Sequence, residues 1–452
     1  MQKPLLLKLL AIGILSVLLL VPLLLIESKI SERSYYRHQV KRDIASSWTG
    51  SQKLTGPILV LPYELTKEYQ VWDKNLEQYV TKKKVILRRK FVFPERIDIS
   101  GDLNIDMRSR GIYSIPVYTA KIIEKGVFHP AATLAQYNNA KNIKWLKPYI
   151  SIAISDMRGI TSNINMTIAG AGLAPQPGSG IEELVSGLRL ELESMAKANV
   201  PSISFELDME IRGTDRLEFV PIASSTNIAI KSTWPHPKFI GQFLPQTRTV
   251  DSEGFHANWS TSNLATNIQE LFEACMDSAE HCHAFKKMSF GVELIQSVDI
   301  YHKTERAVKY GFLFVVLMFS VFFLFEILKS LRIHPVQYLL VGFTLAMFYQ
   351  ILLSLTEHIA FSYSYGIAAV VSIVIISVYM AYVLQGVGRV VLLSATMGMV
   401  YTMLYIILLS EDYALLMGTS LIVIMLVAFM VSTRKVNWYR VGDWIEKQKA
   451  EQ

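Results

Sequence analysis

The sequence predicts a multi-pass membrane protein: an N-terminal signal-anchor helix, a large β-rich, antiparallel sandwich-like extracytoplasmic domain, and a C-terminal five-helix transmembrane bundle. Three observations carry this. Residues 4–26 are almost wholly aliphatic, with Lys8 the only charge. Five further apolar runs, at about residues 310–328, 336–355, 359–384, 390–409 and 413–431, fill the C-terminal third. Between them no stretch reaches the roughly 18 apolar residues a span needs, and period-two alternation takes over. Composition agrees. Hydrophobic residues make up 51% and charged residues 18% of the 452, against about 25% charged in an average soluble domain. With a mean hydropathy of +0.30, this excludes a disordered chain and an ordinary soluble enzyme. The 2 cysteines exclude a disulfide-rich scaffold or a multi-site zinc protein. The net charge of +7 reads as basic loop ends at a membrane, not as a nucleic-acid footprint.

The first run is longer than a usual signal-peptide core and passes straight into Ile26-Glu27-Ser28-Lys29, without an Ala-x-Ala-like site. No cysteine follows, which excludes a lipoprotein. The run is therefore expected to stay as a membrane anchor (residues 4–26), followed by the extracytoplasmic domain (27–309), the bundle (310–431) and a cytoplasmic tail (432–452). Loop charges set the orientation. Lys3, Lys329, Arg332, Arg389, Arg434, Lys435, Arg440, Lys447 and Lys449 fall on one side. Glu357-His358 and Glu411-Asp412 fall on the other. The positive-inside rule then places both termini in the cytoplasm. Lys29, Arg33, Arg37, Arg306 and Lys309 run against this, but long translocated domains largely escape the rule. Trp438, Tyr439 and Trp444 suit an inner interfacial belt.

In the large domain, Ile97, Ile99, Leu103, Ile105 and Met107 alternate with polar residues, as do Ile203, Phe205, Leu207, Met209 and Ile211. Such alternation predicts strands with one buried face. Further strands are expected at residues 58–61, 68–72, 84–93, 150–154, 164–169 and 226–232. Glycines and prolines make residues 170–180 a loop, and residues 28–46, 181–198 and 264–274 carry helical character.

Catalytic signatures are missing: there is no Gly-x-Ser-x-Gly elbow, no His-Glu-x-x-His and no phosphate-binding loop. No cofactor is expected. Gly170-Ala171-Gly172 begins like a dinucleotide motif, but Pro175 intervenes and Gly178 comes too late. Cys275 and Cys282, beside His281 and His283, suit a small disulfide loop, a metal site of uncommon spacing, or free thiols. Asp156 with Arg158 suits a catalytic pair or a turn salt bridge. Within the spans, Glu326, Gln350 and Gln385 are the polar residues that a transport pathway could use. Residues 234–245 hold Trp234, His236, Phe239 and Phe243 on a segment stiffened by Pro235, Pro237 and Pro245. They suit a contact loop, or an aromatic plug for the core.

Several separated motifs together resemble a known family. They are Glu32-Arg33-Ser34-Tyr35-Tyr36-Arg37, Lys53-Leu54-Thr55-Gly56-Pro57 and Ser155-Asp156-Met157-Arg158-Gly159-Ile160. The segment at 234–245 follows, with Arg248, Gly254-Phe255 and Trp259. In the membrane part come His334-Pro335-Val336-Gln337-Tyr338-Leu339-Leu340-Val341-Gly342, Glu357-His358 and Gly418-Thr419-Ser420. In this order they resemble the CreD family of bacterial inner-membrane cell-envelope integrity proteins. The resemblance implies a role in envelope integrity, with envelope-stress or colicin tolerance, and names no catalytic residue or cofactor; the missing catalytic motifs and the large β-rich domain favour a non-enzymatic factor that acts through contacts of its periplasmic domain. Lipid bilayer and envelope-protein or cell-wall partners follow from it. The alternative is a transporter or channel of envelope-related solutes that uses the six membrane helices.

Overall fold

A computed structural model describes residues 3–73, 78–136, 140, 142–162, 164–168, 170–184, 186–192, 202–295, 300–329, 333–384, 386–410 and 414–434. The chain opens with α1 (Lys3–Leu18) and α2 (Leu20–Ser47), then β1 (Gln52–Asp73), β2 (Gln78–Val92), β3 (Pro94–Arg110) and β4 (Tyr113–Phe128). Next come α3 (Pro130–Ala135), β5 (Ile143–Trp145), β6 (Tyr149–Ile154), β7 (Asn165–Ile168), β8 (Ala171–Leu173), β9 (Gln176–Pro177) and β10 (Gly187–Glu191). They lead into β11 (Ile203–Thr214), β12 (Arg216–Val220), β13 (Ser225–Ser232), β14 (Pro237–Gly241), β15 (Thr247–Asp251) and β16 (Gly254–Ser262). Short helices α4 (Asn263–Thr266), α5 (Ile268–Asp277) and α6 (Cys282–Lys287) precede β17 (Phe290–Leu294). The chain then runs through α7 (Ile300–Lys309), α8 (Gly311–Lys329), α9 (Pro335–Thr356), α10 (Phe361–Leu384), α11 (Val387–Leu409) and α12 (Ala414–Thr433).

Two compact units result: Met1–His38 with Val298–Gln452, and Gln39–Ser297. In the first, Leu6–Ser47, Pro335–Thr356, Phe361–Leu384, Val387–Leu409 and Leu416–Thr433 are long and apolar enough to cross a bilayer. Lys303–Lys309 and Gly311–Ile327, bent by 47°, give a sixth candidate span as a pair. Helices are the form this unit must take, because only internal hydrogen bonding satisfies a backbone in lipid.

The second unit holds two sheets among the described residues. A 9-stranded sheet runs β14-β17-β12-β1-β6-β10-β9, with β2 and β5 also on β1. An 8-stranded sheet runs β15-β16-β13-β3-β4-β11-β7-β8. The alternation of β11 buries Ile203, Phe205, Leu207, Met209 and Ile211 in one core. That core also takes Ile58, Val60, Ile150 and Ile152 from the other sheet. Most pairings are antiparallel, but β1 pairs β12 and β3 pairs β13 in parallel. The antiparallel expectation therefore needs correction. Turn signals report only neighbours in sequence, whereas these two pairings join segments more than a hundred residues apart.

Two local readings are also corrected. The loop at 170–180 contains β8 and β9, edge strands that complete the two sheets. Within 181–198, residues Gly187–Glu191 form a strand paired with β6. Leu188 and Leu190 are buried there while Glu191 is exposed, a period of two that outweighs helical propensity. Residues 193–198 lie outside the described residues, as do Gln385, Arg332, Glu411, Asp412, Lys435, Arg440, Lys447, Lys449, Trp438, Tyr439 and Trp444.

Candidate functional site

The motif around Asp156 is a structural junction. The Asp156 carboxylate accepts from Gly50 N at 3.1 Å and Arg158 N at 3.1 Å. Arg158 Nε and Nη2 add bonds of 2.9 and 2.6 Å. The Arg158 guanidinium holds Asp156 down at about 2, well below the usual carboxylate range, and the two backbone donors act in the same direction. Arg158 Nη1 also donates to Ser46 O at 2.6 Å, satisfying a carbonyl in the last turn of α2. Next to it, Trp48 lies 4.6 Å from the guanidinium carbons of both Arg108 and Arg212. Gln52 Nε2 donates to Asp156 O and Arg212 O at 2.9 Å each. Gly159 is required because a Cβ there would run into Gln52 and Arg212 O. Asp156 is thus occupied on both oxygens, and its geometry is that of a turn salt bridge.

The proline-stiffened segment packs inward. Trp234 Nε1 donates to His236 O at 3.1 Å and Ile295 O at 2.9 Å. Phe239, on β14, meets Phe255 at 5.9 Å and Trp259 at 5.7 Å on β16, so its ring joins the two sheets. Phe243 lies 5.8 Å from Phe290. His236 is left exposed. Trp234, Phe239 and Phe243 are partly buried against the core and act as its seam. The exposed parts of this stretch are His236, Lys238, Gly241, Gln242 and Leu244. Cys275 and Cys282 are joined by a disulfide, which ties α5 to α6. No group of three His, Cys, Asp or Glu suited to a metal occurs among the described residues.

Inside the membrane unit, the lone charge of the first run has a partner. Lys8 on α1 bonds Glu326 on α8, whose side chain is 5% exposed. Glu326 also accepts from Tyr338 Oη at 3.0 Å and Ile333 N at 3.2 Å. The His334–Tyr338 motif builds this arrangement. Gln337 Oε1 accepts from His334 N at 3.0 Å, and His334 Nδ1 from Val336 N at 3.3 Å, capping α9 with Pro335 in its first turn. That cap sets Tyr338 toward Glu326. At the far end of α9, Arg33 of the Glu32–Arg37 motif pairs with Glu357 at 3.4 Å.

The feature that sequence reasoning missed is the outer part of the β1–β2 hairpin. Register pairs Tyr63 with Arg88, Leu65 with Ile86, Lys67 with Lys84, Tyr69 with Lys82 and Val71 with Val80. Directly opposed residues share a face, so between Tyr63 and Val71 this face gathers Lys67, Lys82, Lys84 and Arg88 and no acid. The other face pairs Glu64 with Leu87, Thr66 with Val85, Glu68 with Lys83 and Trp72 with Tyr79. There the charges are matched: Lys83 bonds Glu68 at 3.1 Å and Lys144 bonds Glu64 at 3.4 Å. Lys67, Lys82, Lys84 and Arg88 are exposed and have no ion pair among the described residues. Tyr69, Trp72 and Tyr79 are 46%, 49% and 67% exposed. Trp72 and Tyr79 stack edge-on at 5.1 Å. The signal was present as Lys82-Lys83-Lys84 and Arg88-Arg89-Lys90 within a strand pattern. Only the register divides those cations between faces.

Comparison with known proteins assigns the chain. The family profile described as "Inner membrane protein CreD" matches residues 4–439. The chain is 34% identical over 437 residues to Inner membrane protein CreD of Escherichia coli (strain K12), covering 96% of this chain and 93% of that protein. Among solved structures, native leukotriene A4 hydrolase from Saccharomyces cerevisiae aligns at 16% identity and a TM-score of 0.20, over 37% of this chain and 26% of that chain. The yeast LTA4 hydrolase complex with bestatin aligns at 12% identity and 0.18, over the same shares. Both fall below any shared-fold argument. By profile match and full-length identity, this chain is a multi-pass inner-membrane protein that belongs to the CreD family.

Proposed function

We propose that this CreD family member supports cell-envelope integrity without catalysis, through contacts made by its large domain outside the cytoplasm. The observation that carries this is the exposed β1–β2 ribbon, with cations that have no ion pair among the described residues on one face and Trp72 and Tyr79 exposed on the other. A two-stranded ribbon is marginal in water by itself, and exposed aromatics beside free cations suit recognition. The saturated Asp156 supports a non-catalytic reading. Envelope-stress or colicin tolerance, with envelope proteins or cell-wall material as partners, is the role this reading serves.

The orientation reading is six spans with both termini cytoplasmic. Alkaline phosphatase fused after Ile150 is expected to be active, and fused after Gln452 inactive; activity at Gln452 overturns it. The contact reading is tested in cells. Replacing Trp72, Lys82 and Lys84 (Trp72→Ala, Lys82→Gln, Lys84→Gln) should lower survival under envelope stress at unchanged protein level. Trp234→Ala should do the opposite, lowering abundance first, since truncating a largely packed Trp costs about 3 kcal/mol. Normal survival of the ribbon variant refutes the ribbon as the contact surface.

The transporter reading draws on Lys8 and Glu326, ionisable groups within the membrane unit. Glu326 is already bonded by Lys8, Tyr338 and Ile333 N, which suits a brace between helices better than a relay. Solute accumulation in vesicles bearing the protein would favour transport.

A further inference from the structure

We propose that the outer face of the 8-stranded sheet carries a cleft that binds a neutral carbohydrate chain. This rests on the reading that the large domain acts by contact, but on strands other than those of the β1–β2 ribbon. Register builds the cleft. Asn258, Ala229, Ser100 and Ile123 lie on one rung across β16, β13, β3 and β4. Ser260, Asn227, Asp98 and Lys125 lie on the rung two residues further along. All eight stand on the side away from the core, because the residues between them, Trp259, Ile228, Ile99 and Glu124, are buried.

Ala229 and Ser100 are the short side chains of the first rung, and they are neighbours, so they form a floor. Asn258, Asn227, Asp98 and Lys125 stand around it, with Gln246 from the residue before β15. The cleft measures about 420 Å³, within the roughly 300–1,000 Å³ of small-molecule sites. The first rung covers three strand spacings, about 14 Å, room for a chain laid across the strands.

The hydrogen-bonding groups select the ligand. Asn227 Nδ2 donates to Asp98 Oδ1 at 2.9 Å, and Gln246 Nε2 donates to Ser260 O at 3.1 Å. A carboxylate and a backbone carbonyl only accept, so each amide is fixed with its nitrogen toward that partner. Asn227 Oδ1 and Gln246 Oε1 are left without a partner among the described residues, and each nitrogen keeps a second N–H. Ser100 and Ser260 add exposed hydroxyls. Both charges that line the cleft are matched: Asp98 pairs with Arg96 at 2.8 Å and Lys125 with Glu206 at 2.9 Å. An anion would therefore find no free cation, and its acceptor oxygens would meet the unpaired amide oxygens. A hydroxyl donates and accepts at once, so it can use an amide oxygen and the spare N–H together. Neutral hydroxyls in a row are the chemistry of a sugar chain, and half-buried Ile123 offers an apolar patch for the C–H face of a ring. A peptide added as a strand needs a free sheet edge, whereas β16, β13, β3 and β4 have neighbours on both sides.

The test uses the full chain in phosphatidylcholine nanodiscs, which carry no sugar headgroups. It is titrated by calorimetry with soluble neutral hexasaccharides of glucose, of mannose and of N-acetylglucosamine. At least one is expected to bind, without salt dependence. Gln246→Ala and Asn258→Ala should each weaken that binding roughly fivefold, the worth of one hydrogen bond. Ser100→Tyr fills the floor and should abolish it; Ser100 is exposed and Tyr suits a strand. Gln246→Ala carries the test if Ser100→Tyr lowers the unfolding midpoint. Lys82→Gln with Lys84→Gln, on the ribbon, should leave sugar affinity unchanged. Failure of all three sugars to bind at millimolar concentration, undiminished binding by Ser100→Tyr and Gln246→Ala, or displacement of the sugar by polyphosphate each overturns the proposal. If no sugar binds while the ribbon variant fails in cells, the contact reading stands and this cleft falls. If a sugar binds as described while the ribbon variant survives normally, the cleft stands and the ribbon falls.

Discussion

Lys8→Met is expected to destabilise the membrane unit by about 3 kcal/mol, at the lower end for a broken buried pair because Lys8 keeps some exposure. Glu326 is 5% exposed and would lose its only cationic partner among the described residues. Tyr338 Oη and Ile333 N would still donate to it, so the loss is that of the counter-charge alone. The double variant Lys8→Met with Glu326→Gln removes both charges and should recover most of that loss, since a neutral amide can keep the remaining hydrogen bonds. Arg33→Met is the contrast. Its pair with Glu357 spans 3.4 Å, and Arg33 is 47% exposed, so less than about 1 kcal/mol is expected. Thermal unfolding of the full chain in detergent, read as a double-mutant cycle, measures all of these. Equal losses for Lys8→Met and Arg33→Met would show that the Lys8–Glu326 pair is hydrated and worth no more than a surface bridge.

Glu124→Gln should remove a pH dependence that the wild type carries. Glu124 sits on the core face of β4, opposite Ile99 on β3 and Leu207 on β11, and is 1% exposed. Its Oε2 has no hydrogen-bond partner among the described residues. Burial pushes its carboxyl up from 4.5 to about 8. A raised carboxyl retains its proton in the folded chain after the unfolded chain has lost it. Below 4.5 both states are neutral and nothing is lost; across 4.5 to about 8 the unfolded state is progressively favoured. Each pH unit in that window costs about 1.4 kcal/mol, so wild type should lose roughly 3 kcal/mol between about pH 5 and about pH 7. Glu124→Gln should be flat by comparison and the more stable protein at neutral pH. Chemical unfolding of the full chain, followed through its tryptophans, gives both slopes. Parallel slopes would mean that Glu124 is ionised in the folded chain and that water or a counter-ion reaches it.

Much of the architecture is legible without coordinates, because it rests on local periodicity. The aliphatic run around Lys8 and the later apolar runs fall on helices that qualify as candidate spans. The alternation from Ile203 to Ile211 falls on β11 with each apolar residue buried. Hydrophobic pattern is a property of a short window, and burial of one face is its direct consequence. Trp234, Phe239 and Phe243 show the limit of such a window. Proline spacing reveals that the segment is stiff, yet whether its rings face solvent depends on Phe255, Trp259 and Phe290 arriving from other strands.

Three decisions belong to tertiary structure alone. Lys8 and Glu326 lie 318 residues apart, so no window could pair them, although each was conspicuous as a charge in an apolar run. The parallel pairings β1–β12 and β3–β13 depend on long connections that carry no turn signal. The ribbon depends on register. If β2 were shifted by one residue, Lys82, Lys84 and Arg88 would turn to the face that carries Glu64 and Glu68, since each such slip turns every side chain to the opposite face. Composition and periodicity therefore determined that this chain has a membrane part and a β-rich part. Strand register and helix packing decided which charges meet a partner and which stand free, because both join residues that are distant in sequence.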